Sequence, residues 1–326
     1  MHEFLRASLH LWGWNIDLAS AGTRTFAGLF AALLFASVFI AVTNFSAKTP
    51  KAELTARTNT WWLIVGQLFL ALHGPKWFLC LYFAVVSFLA LREFFQLAPL
   101  RESDLKLRIW MLVVLLLQYF LVWYNWYGLF IVLIPVWTFL LIPMRMIVAG
   151  NTTSFLKSLA TIQWGLMATV FSISHLAFFN NIVLRFEYMG VRPVNYILLV
   201  VILTELNDVF QFIAGKSFGK NKIVPHVSPG KTWEGFWGGV IGSTGLSLLL
   251  SPYLVHMPLY HAALFGCLCA VVGFFGDVTE SAIKRDIGVK DSGHLLPGHG
   301  GILDRIDSLV FTALFSFHYV HYFFGK

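Results

Sequence analysis

Charged side chains are scarce in this sequence. Asp, Glu, Lys and Arg account for 12% of its 326 residues, whereas 58% are hydrophobic and 17% are aromatic. A soluble domain typically carries about 25% charged residues. Apolar runs of roughly 15 to 20 residues recur along the whole chain. The composition argues against a soluble enzyme and predicts a protein that crosses a membrane several times.

Cysteine is scarce, and we expect residues 26–42 to be a retained span and not a cleaved signal peptide. Cys80, Cys267 and Cys269 all lie in apolar runs and form neither a disulfide framework nor a zinc-binding pattern. The N-terminus lacks a compact charged region followed by a short apolar core and a small-residue cleavage site. We therefore expect residues 1–25 to be an N-terminal interfacial segment on the membrane surface, because they mix Phe, Leu and Trp with charged residues.

The apolar runs predict an all-α polytopic membrane protein. We expect nine or ten transmembrane helices, because the run at 61–73 is short for a span and allows a tilted or re-entrant element. The sequence shows no repeat and no long linker, so we expect residues 26–326 to form a single transmembrane catalytic domain. The runs cover approximately residues 26–42, 61–73, 77–91, 109–123, 127–142, 161–181, 195–214, 235–251, 260–276 and 308–324.

Basic residues predict the orientation of this bundle. Most of the 23 Lys and Arg lie in alternate loops, which should therefore face the cytoplasm. The net charge of +7 then reflects topology and phosphate binding, and we expect no nucleic acid partner. The compact chain favours a bacterial cytoplasmic membrane. The basic loops are residues 43–60, 92–108, 143–160, 215–234 and 277–307.

Two carboxylates interrupt the apolar run at 195–214. Glu205 and Asp208 share one helix face, and a carboxylate at bilayer depth costs about 2.5–3.5 kcal/mol. Intramembrane acids usually line a cavity, which favours a functional role for this pair, and for Asp208 in particular as a site residue. A structural pair satisfied by a neighbouring span is the alternative.

The loop at 215–234 contains the triplet Gly230-Lys231-Thr232, which suggests a Walker phosphate loop. That motif requires a glycine where Pro225 stands, so the Walker interpretation fails. A lysine-rich loop that enters a helix remains, with Thr232 as a candidate cap and free backbone N–H groups as phosphate donors.

The stretch from Asp277 to Asp307 concentrates charge between two apolar runs. Asp277 and Lys284 recur at helical spacing, and Asp304 and Asp307 share a face at the start of the next run. Glycine-rich chain around Gly300 lies between them. Because Mg²⁺ takes one or two carboxylates together with substrate phosphates, this stretch predicts a Mg²⁺ and phosphate site.

This stretch also resembles a known signature. The pattern from Ser281 to Asp307 is similar to that of phosphatidate cytidylyltransferases (CDP-diacylglycerol synthases). The segment Ser228-Pro-x-Lys-Thr-x-Glu-Gly235 resembles a second element of the same family. The region after Asp208 departs from the family pattern, since Val-Phe-Gln-Phe replaces small residues and an Ala-Tyr pair. The signature residues are Ser281, Ile283, Lys284, Arg285, Lys290, Asp291, Gly293, Leu296, Pro297, His299, Gly300, Gly301, Ile302, Asp304, Arg305, Ile306 and Asp307.

The resemblance implies transfer of CMP from CTP to phosphatidate, which gives CDP-diacylglycerol and pyrophosphate. It implies three groups of site residues. Mg²⁺, with room for a second cation, would be held by Asp277 and Asp304, with Asp208 and Asp307 in support. Substrate phosphates would be bound by Lys231, Lys284, Arg285, Lys290 and Arg305, near Asp291 and His299. The nucleotide would contact Ser228, Lys231, Thr232 and Glu234.

Two alternatives stay open at this point, and a third is excluded. The acceptor can be a different lipid phosphate, such as an isoprenoid-ether phosphate. A cation-coupled transporter would also use buried carboxylates, although it predicts internal symmetry and charge near the bilayer midplane. A CDP-alcohol phosphotransferase requires an Asp-Gly pair, which this sequence lacks. The sequence is compatible with a homodimer but does not require one.

Overall fold

The structure is a computed structural model that describes residues 8–11, 14–45, 52–101, 106–148, 150, 153–184, 191–293, 295 and 300–326. A small antiparallel hairpin comes first, with strand β1 at Ser8–Leu11 paired to β2 at Trp14–Asp17. The hairpin lies within the predicted interfacial segment. The first helix then begins at Ala21, earlier than the predicted start at residue 26.

Helices account for the rest of the regular structure among the described residues, which confirms the all-α class. Two of the long helical segments contain a six-residue π-helical stretch, at Leu133–Thr138 and at Leu166–Phe171. The helices are α1 Ala21–Phe45, α2 Ala52–His73, α3 Lys76–Leu97, α4 Leu107–Tyr124, α5 Tyr127–Val132, α6 Phe139–Val148, α7 Phe155–Gly165, α8 Ser172–Phe178, α9 Val194–Phe218, α10 Trp233–Val255, α11 Leu259–Ile287 and α12 Leu303–Phe324.

Every predicted apolar run lies within one of these helical segments. Among the described residues, eight helices are long and apolar enough to cross a membrane. Two more, α2 and α12, have 22 residues each but do not reach the same hydropathy. The short run at 61–73 is therefore the C-terminal part of a longer helix, which begins at Ala52. The count of nine or ten spans stays a prediction.

Side chains of α9 pack directly against glycines of α10. A Cβ at Gly239 of α10 would lie 2.5 Å from Cγ of Gln211 and 2.7 Å from Oδ1 of Asn207. One at Gly242 would lie 2.5 Å from the Phe210 ring. Small residues commonly allow such close approach between transmembrane helices. This packing fixes the polar face of α9 against α10, with α11 and α12 alongside.

Candidate functional site

The predicted cytoplasmic end of the bundle brings together the ends of α9, α11 and α12 and the loop at 219–232. The loop folds back on itself, because Ile223 N donates to Lys231 O at 3.2 Å and Trp233 N donates to Asn221 O at 2.9 Å. Thr232 then caps α10, since its Oγ1 accepts a hydrogen bond from Gly235 N at 3.1 Å. The predicted cap at Thr232 is confirmed, and it places the preceding residue, Lys231, against the helices of the bundle.

Lys231 is the centre of the first charge cluster. Its Nζ lies 2.6 Å from Asp277 Oδ2, 3.5 Å from Asp208 Oδ1 and 2.9 Å from Gln211 Oε1. The ammonium also lies 5.7 Å from the centre of the Phe274 ring. Burial lowers the pKa of Lys231, but Asp277 and Asp208 raise it more, so the pKa lies above its ordinary value. Lys231 therefore stays protonated at neutral pH.

Further acidic charge surrounds this ammonium. Asp208 accepts a second hydrogen bond, from Ser308 Oγ to its Oδ2 at 3.2 Å. Asp307 interacts electrostatically with both Asp277 and Asp208. Three carboxylates from α9, α11 and α12 thus share one fixed cation. Such a cluster has excess negative charge and favours an additional cation.

A second cluster lies at the junction of α11 and α12. Lys284 Nζ lies 2.8 Å from Asp304 Oδ1, and both side chains are about nine-tenths buried, at 9% and 11% exposure. Asp304 Oδ2 accepts hydrogen bonds from the backbone N–H groups of Ser292 at 3.0 Å and Gly301 at 3.1 Å. Both oxygens of Asp304 are therefore engaged within the protein.

Electrostatic interactions join the two clusters into one site. Asp307 interacts with both lysines, Lys231 and Lys284. Glu280, one turn beyond Asp277, interacts with both Asp277 and Asp304. The two acidic helix ends therefore meet, although Asp277 and Asp304 each pair with a different lysine.

The donor set fits a Mg²⁺ ion whose remaining ligands come from the substrate. Asp277 and Asp208 already converge on one cation, the ammonium of Lys231. Among the described residues, no three His, Cys, Asp or Glu side chains form a closed metal-binding group. Mg²⁺ suits such a site, since it commonly binds one or two carboxylates plus phosphate oxygens. Asp304 would have to exchange one of its internal hydrogen bonds to join them.

A pocket of about 180 Å³ opens beside Lys231. It combines an apolar wall with the ammonium of Lys231 and a glycine-rich floor. Two of the residues predicted to contact nucleotide, Ser228 and Thr232, line it together with Lys231. The lining residues are Asp208, Gln211, Phe212, Ser228, Gly230, Lys231, Thr232, Gly235 and Phe236.

The comparisons with known proteins agree with this geometry. A family model described as "Cytidylyltransferase family" matches residues 55–323. The chain belongs to the cytidylyltransferase family. It is therefore a nucleotidyltransferase, which excludes the transporter hypothesis.

Relatives of this cytidylyltransferase differ in how much of the chain they match. "Uncharacterized protein YnbB" of Escherichia coli is 41% identical over 92% of this chain and 98% of its own length. A phosphatidate cytidylyltransferase of Staphylococcus epidermidis is 36% identical over 53% of this chain and 65% of its own. A chloroplastic phosphatidate cytidylyltransferase of Arabidopsis thaliana is 48% identical over 35% and 29%, respectively. The chain thus spans less than two thirds of the two relatives with a named activity.

The other predicted residues of this cytidylyltransferase lie around the two clusters. Glu234 binds the loop at 219–232, accepting hydrogen bonds from Lys220 N at 3.1 Å and from Asn221. Arg285 donates to the backbone oxygens of Val227 at 3.3 Å and Val289 at 3.0 Å. These two side chains therefore hold the surrounding loops in the structure.

The remaining predicted contacts are more peripheral. Lys290 and Asp291 are exposed near the end of α11. Arg305 interacts electrostatically with Glu205 of α9, which supports the structural alternative for Glu205. His299 lies outside the described residues.

Three residues of the site were absent from the sequence prediction. Gln211 contributes an oxygen to Lys231, and Ser308 donates to Asp208. Glu93 of α3 reaches the segment between α11 and α12. The polar side chains of Gln211 and Glu93 at the ends of apolar runs were a usable signal, although nothing in the sequence showed their partners.

Proposed function

We propose that this cytidylyltransferase transfers CMP from CTP to phosphatidate, which produces CDP-diacylglycerol and pyrophosphate. The observation that carries the proposal is the partly buried Lys231 ammonium bridging Asp277 and Asp208 beside a pocket lined by Ser228 and Thr232. Several relatives that match part of the chain are phosphatidate cytidylyltransferases, which supports phosphatidate as the acceptor. The basic loops support a site that faces the cytoplasm of a bacterial membrane.

In the proposed reaction, a phosphomonoester oxygen of the lipid attacks the α-phosphorus of CTP. A new P–O bond forms there, and the bond to the β-phosphate bridging oxygen breaks, so pyrophosphate leaves with that electron pair. The attacking group is largely dianionic at neutral pH because its second pKa is near 6. No protein base is therefore required, and the protein's task is to position two polyanions and to stabilise charge.

Each part of the site has a role in this proposal. Lys231 contacts the CTP phosphates, and Thr232 and the N-terminus of α10 provide backbone donors. Lys284, which pairs with Asp304, stabilises charge on the lipid phosphate and the leaving group. Mg²⁺ held by Asp277 and Asp208, with Asp307 and Asp304 nearby, would neutralise phosphate charge.

One assay tests the acceptor and the reaction together. Purified protein is incubated with CTP labelled at the α-phosphate, Mg²⁺ and, separately, phosphatidate, a lysolipid phosphate and an isoprenoid-ether phosphate. We expect labelled CDP-diacylglycerol and one pyrophosphate per lipid product. A product with the isoprenoid acceptor alone would correct the lipid, and no CDP-lipid with any acceptor would contradict the proposal.

An apolar groove of about 300 Å³ supports a membrane-embedded position for the acyl chains. It lies between α7, α8, α11 and α12. On α12 it starts at Val310, one turn beyond Asp307, and continues to His318. The lining residues are Trp164, Met167, Ala168, Ser172, Val272, Val310, Phe311, Leu314, Phe315 and His318.

Filling this groove should change the preference for chain length. We expect Leu314→Trp to lower activity on long-chain phosphatidate by about tenfold relative to short-chain phosphatidate, because the larger indole occupies volume that only the longer chain needs. Leu141→Trp is the matched control, because Leu141 lines a separate groove with α4. Equal loss on both chain lengths in Leu314→Trp would contradict this position for the acyl chain.

A further inference from the structure

Glu93 of α3 contacts two separate parts of the segment that links α11 to α12. It is buried, with 5% exposure, and is more than half the chain away from that segment in sequence. Its Oε1 accepts a hydrogen bond from Ser292 Oγ, and its Oε2 accepts one from Ile302 N at 2.9 Å. A buried carboxylate needs such donors, because without them its desolvation is costly.

These hydrogen bonds continue directly to Asp304. Ser292 N donates to Asp304 Oδ2 at 3.0 Å, and Asp304 N donates to Ser292 Oγ at 3.3 Å. The Ser292 hydroxyl is therefore bonded to Glu93 on one side and to the backbone of Asp304 on the other. Asp304 in turn binds Lys284. Glu93 is thus two hydrogen bonds away from a predicted functional carboxylate.

Glu93 also provides what the N-terminus of α12 lacks. Ile302 is the N-cap residue, and its side chain makes no capping hydrogen bond. The first N–H groups of a helix have no partner within the helix, and a negative charge near them is favourable. The Glu93 carboxylate accepts the N–H of Ile302 and places a negative charge there. A side chain from a distant helix therefore performs the role of the cap.

Two glycines show how tightly this junction is seated on Glu93. A Cβ at Gly301 would overlap Glu93 Oε1 and Ser292 Oγ. A Cβ at Gly293 would lie 3.1 Å from the carboxyl group of Glu93. The backbone on both sides of the junction therefore packs directly against the carboxylate, which leaves little freedom for the start of α12.

We propose that Glu93 is a positioning residue for nucleotidyl transfer, which fixes the start of α12 and thereby the placement of Asp304 and Asp307. The inference rests on the proposed function. Glu93 acts through Ser292 and the backbone and touches no substrate. Its loss displaces the carboxylates without removing any of them.

The test compares Glu93→Ala, Glu93→Gln and a control, Arg92→Ala, which changes the adjacent exposed residue on α3. We expect Glu93→Ala to lower kcat about 100-fold with little change in KM for CTP, since a displacement of about 1 Å can cost that much. Hydrogen exchange at Ser292 and Ile302 should become faster. Glu93→Gln should restore both properties, because its amide can accept from Ile302 and donate to Ser292. Arg92→Ala should change neither.

Three results would overturn the inference: wild-type kcat in Glu93→Ala, lost activity with wild-type exchange at Ser292 and Ile302, or a Glu93→Gln variant as impaired as Glu93→Ala. If Glu93→Ala does not fold, Ser292→Ala removes the hydroxyl link, and a wild-type kcat in that variant would overturn the inference. The exchange measurement uses no substrate. If the wild-type protein makes no CDP-lipid, the proposed function is contradicted. Hydrogen exchange at Ser292 and Ile302 then tests by itself whether Glu93 fixes the start of α12.

Discussion

Replacing Asp277 with Asn is expected to lower kcat by about 10²- to 10³-fold, the range seen when one electrostatic stabiliser is removed from an active site. Asp277 is the carboxylate nearest to Lys231, at 2.6 Å, and it is mostly buried. The variant should still fold, because Lys231 keeps Asp208 and Gln211 as partners and the mutual repulsion of the carboxylates decreases. Turnover of CTP into CDP-lipid by the purified variant is the measurement.

Asp286→Asn is the matched control for this substitution. Asp286 lies on the same helix, α11, but is exposed. Its replacement by Asn therefore makes the same chemical change at the surface. We expect it to retain wild-type turnover. Full activity in a folded Asp277→Asn variant would show that this carboxylate does not take part in the reaction.

Replacing Lys231 with Met should have an effect of similar size and should also raise KM for CTP. The substitution keeps most of the side-chain volume but removes the cation shared by Asp277 and Asp208. CTP phosphates would then approach uncompensated carboxylates, so both binding and turnover should suffer, by about 10²-fold or more in kcat/KM. Steady-state kinetics with varied CTP at saturating lipid measure both parameters.

Lys220→Met is the control for Lys231→Met, since Lys220 is an exposed lysine of the same loop. Its kinetic parameters should match the wild type. If Lys231→Met kept the wild-type KM for CTP, the ammonium would have no role in nucleotide binding. Lys231→Arg is not a conservative substitution at this site, because a planar guanidinium does not reproduce a point charge bound on several sides.

Local sequence patterns predicted much of the fold but misplaced several boundaries. The apolar runs located the helices because a spanning helix must be continuously apolar. They placed the start of the second helix at residue 61, whereas α2 begins at Ala52. Its first turns are polar and include an Arg57–Glu53 ion pair at i, i+4, which extends the helix beyond its apolar part. The only local signal for the π-helical stretch at Leu133–Thr138 was Pro135, whose missing N–H disturbs the helix but does not specify a π-helix.

Partners across helices were beyond the reach of the same reasoning. Helical spacing correctly placed Asp277 and Lys284 on α11, which continues to Ile287. Spacing along one helix does not show which lysine each carboxylate meets, and the structure pairs Asp277 with Lys231 and Asp304 with Lys284. Glu93 was missed for the same reason, since its partners come from a distant part of the chain.

The glycine-lined contact between α9 and α10 limits how the site can open. Gly239 and Gly242 let the side chains of Asn207, Phe210 and Gln211 pack directly against α10, so that sliding or rotation of either helix would produce collisions. The pair must therefore move as one rigid body, and Asp208 keeps a fixed height relative to the start of α10. Of the elements that line the pocket beside Lys231, the loop at 219–232 is therefore the one whose position is not tied to the α9–α10 contact.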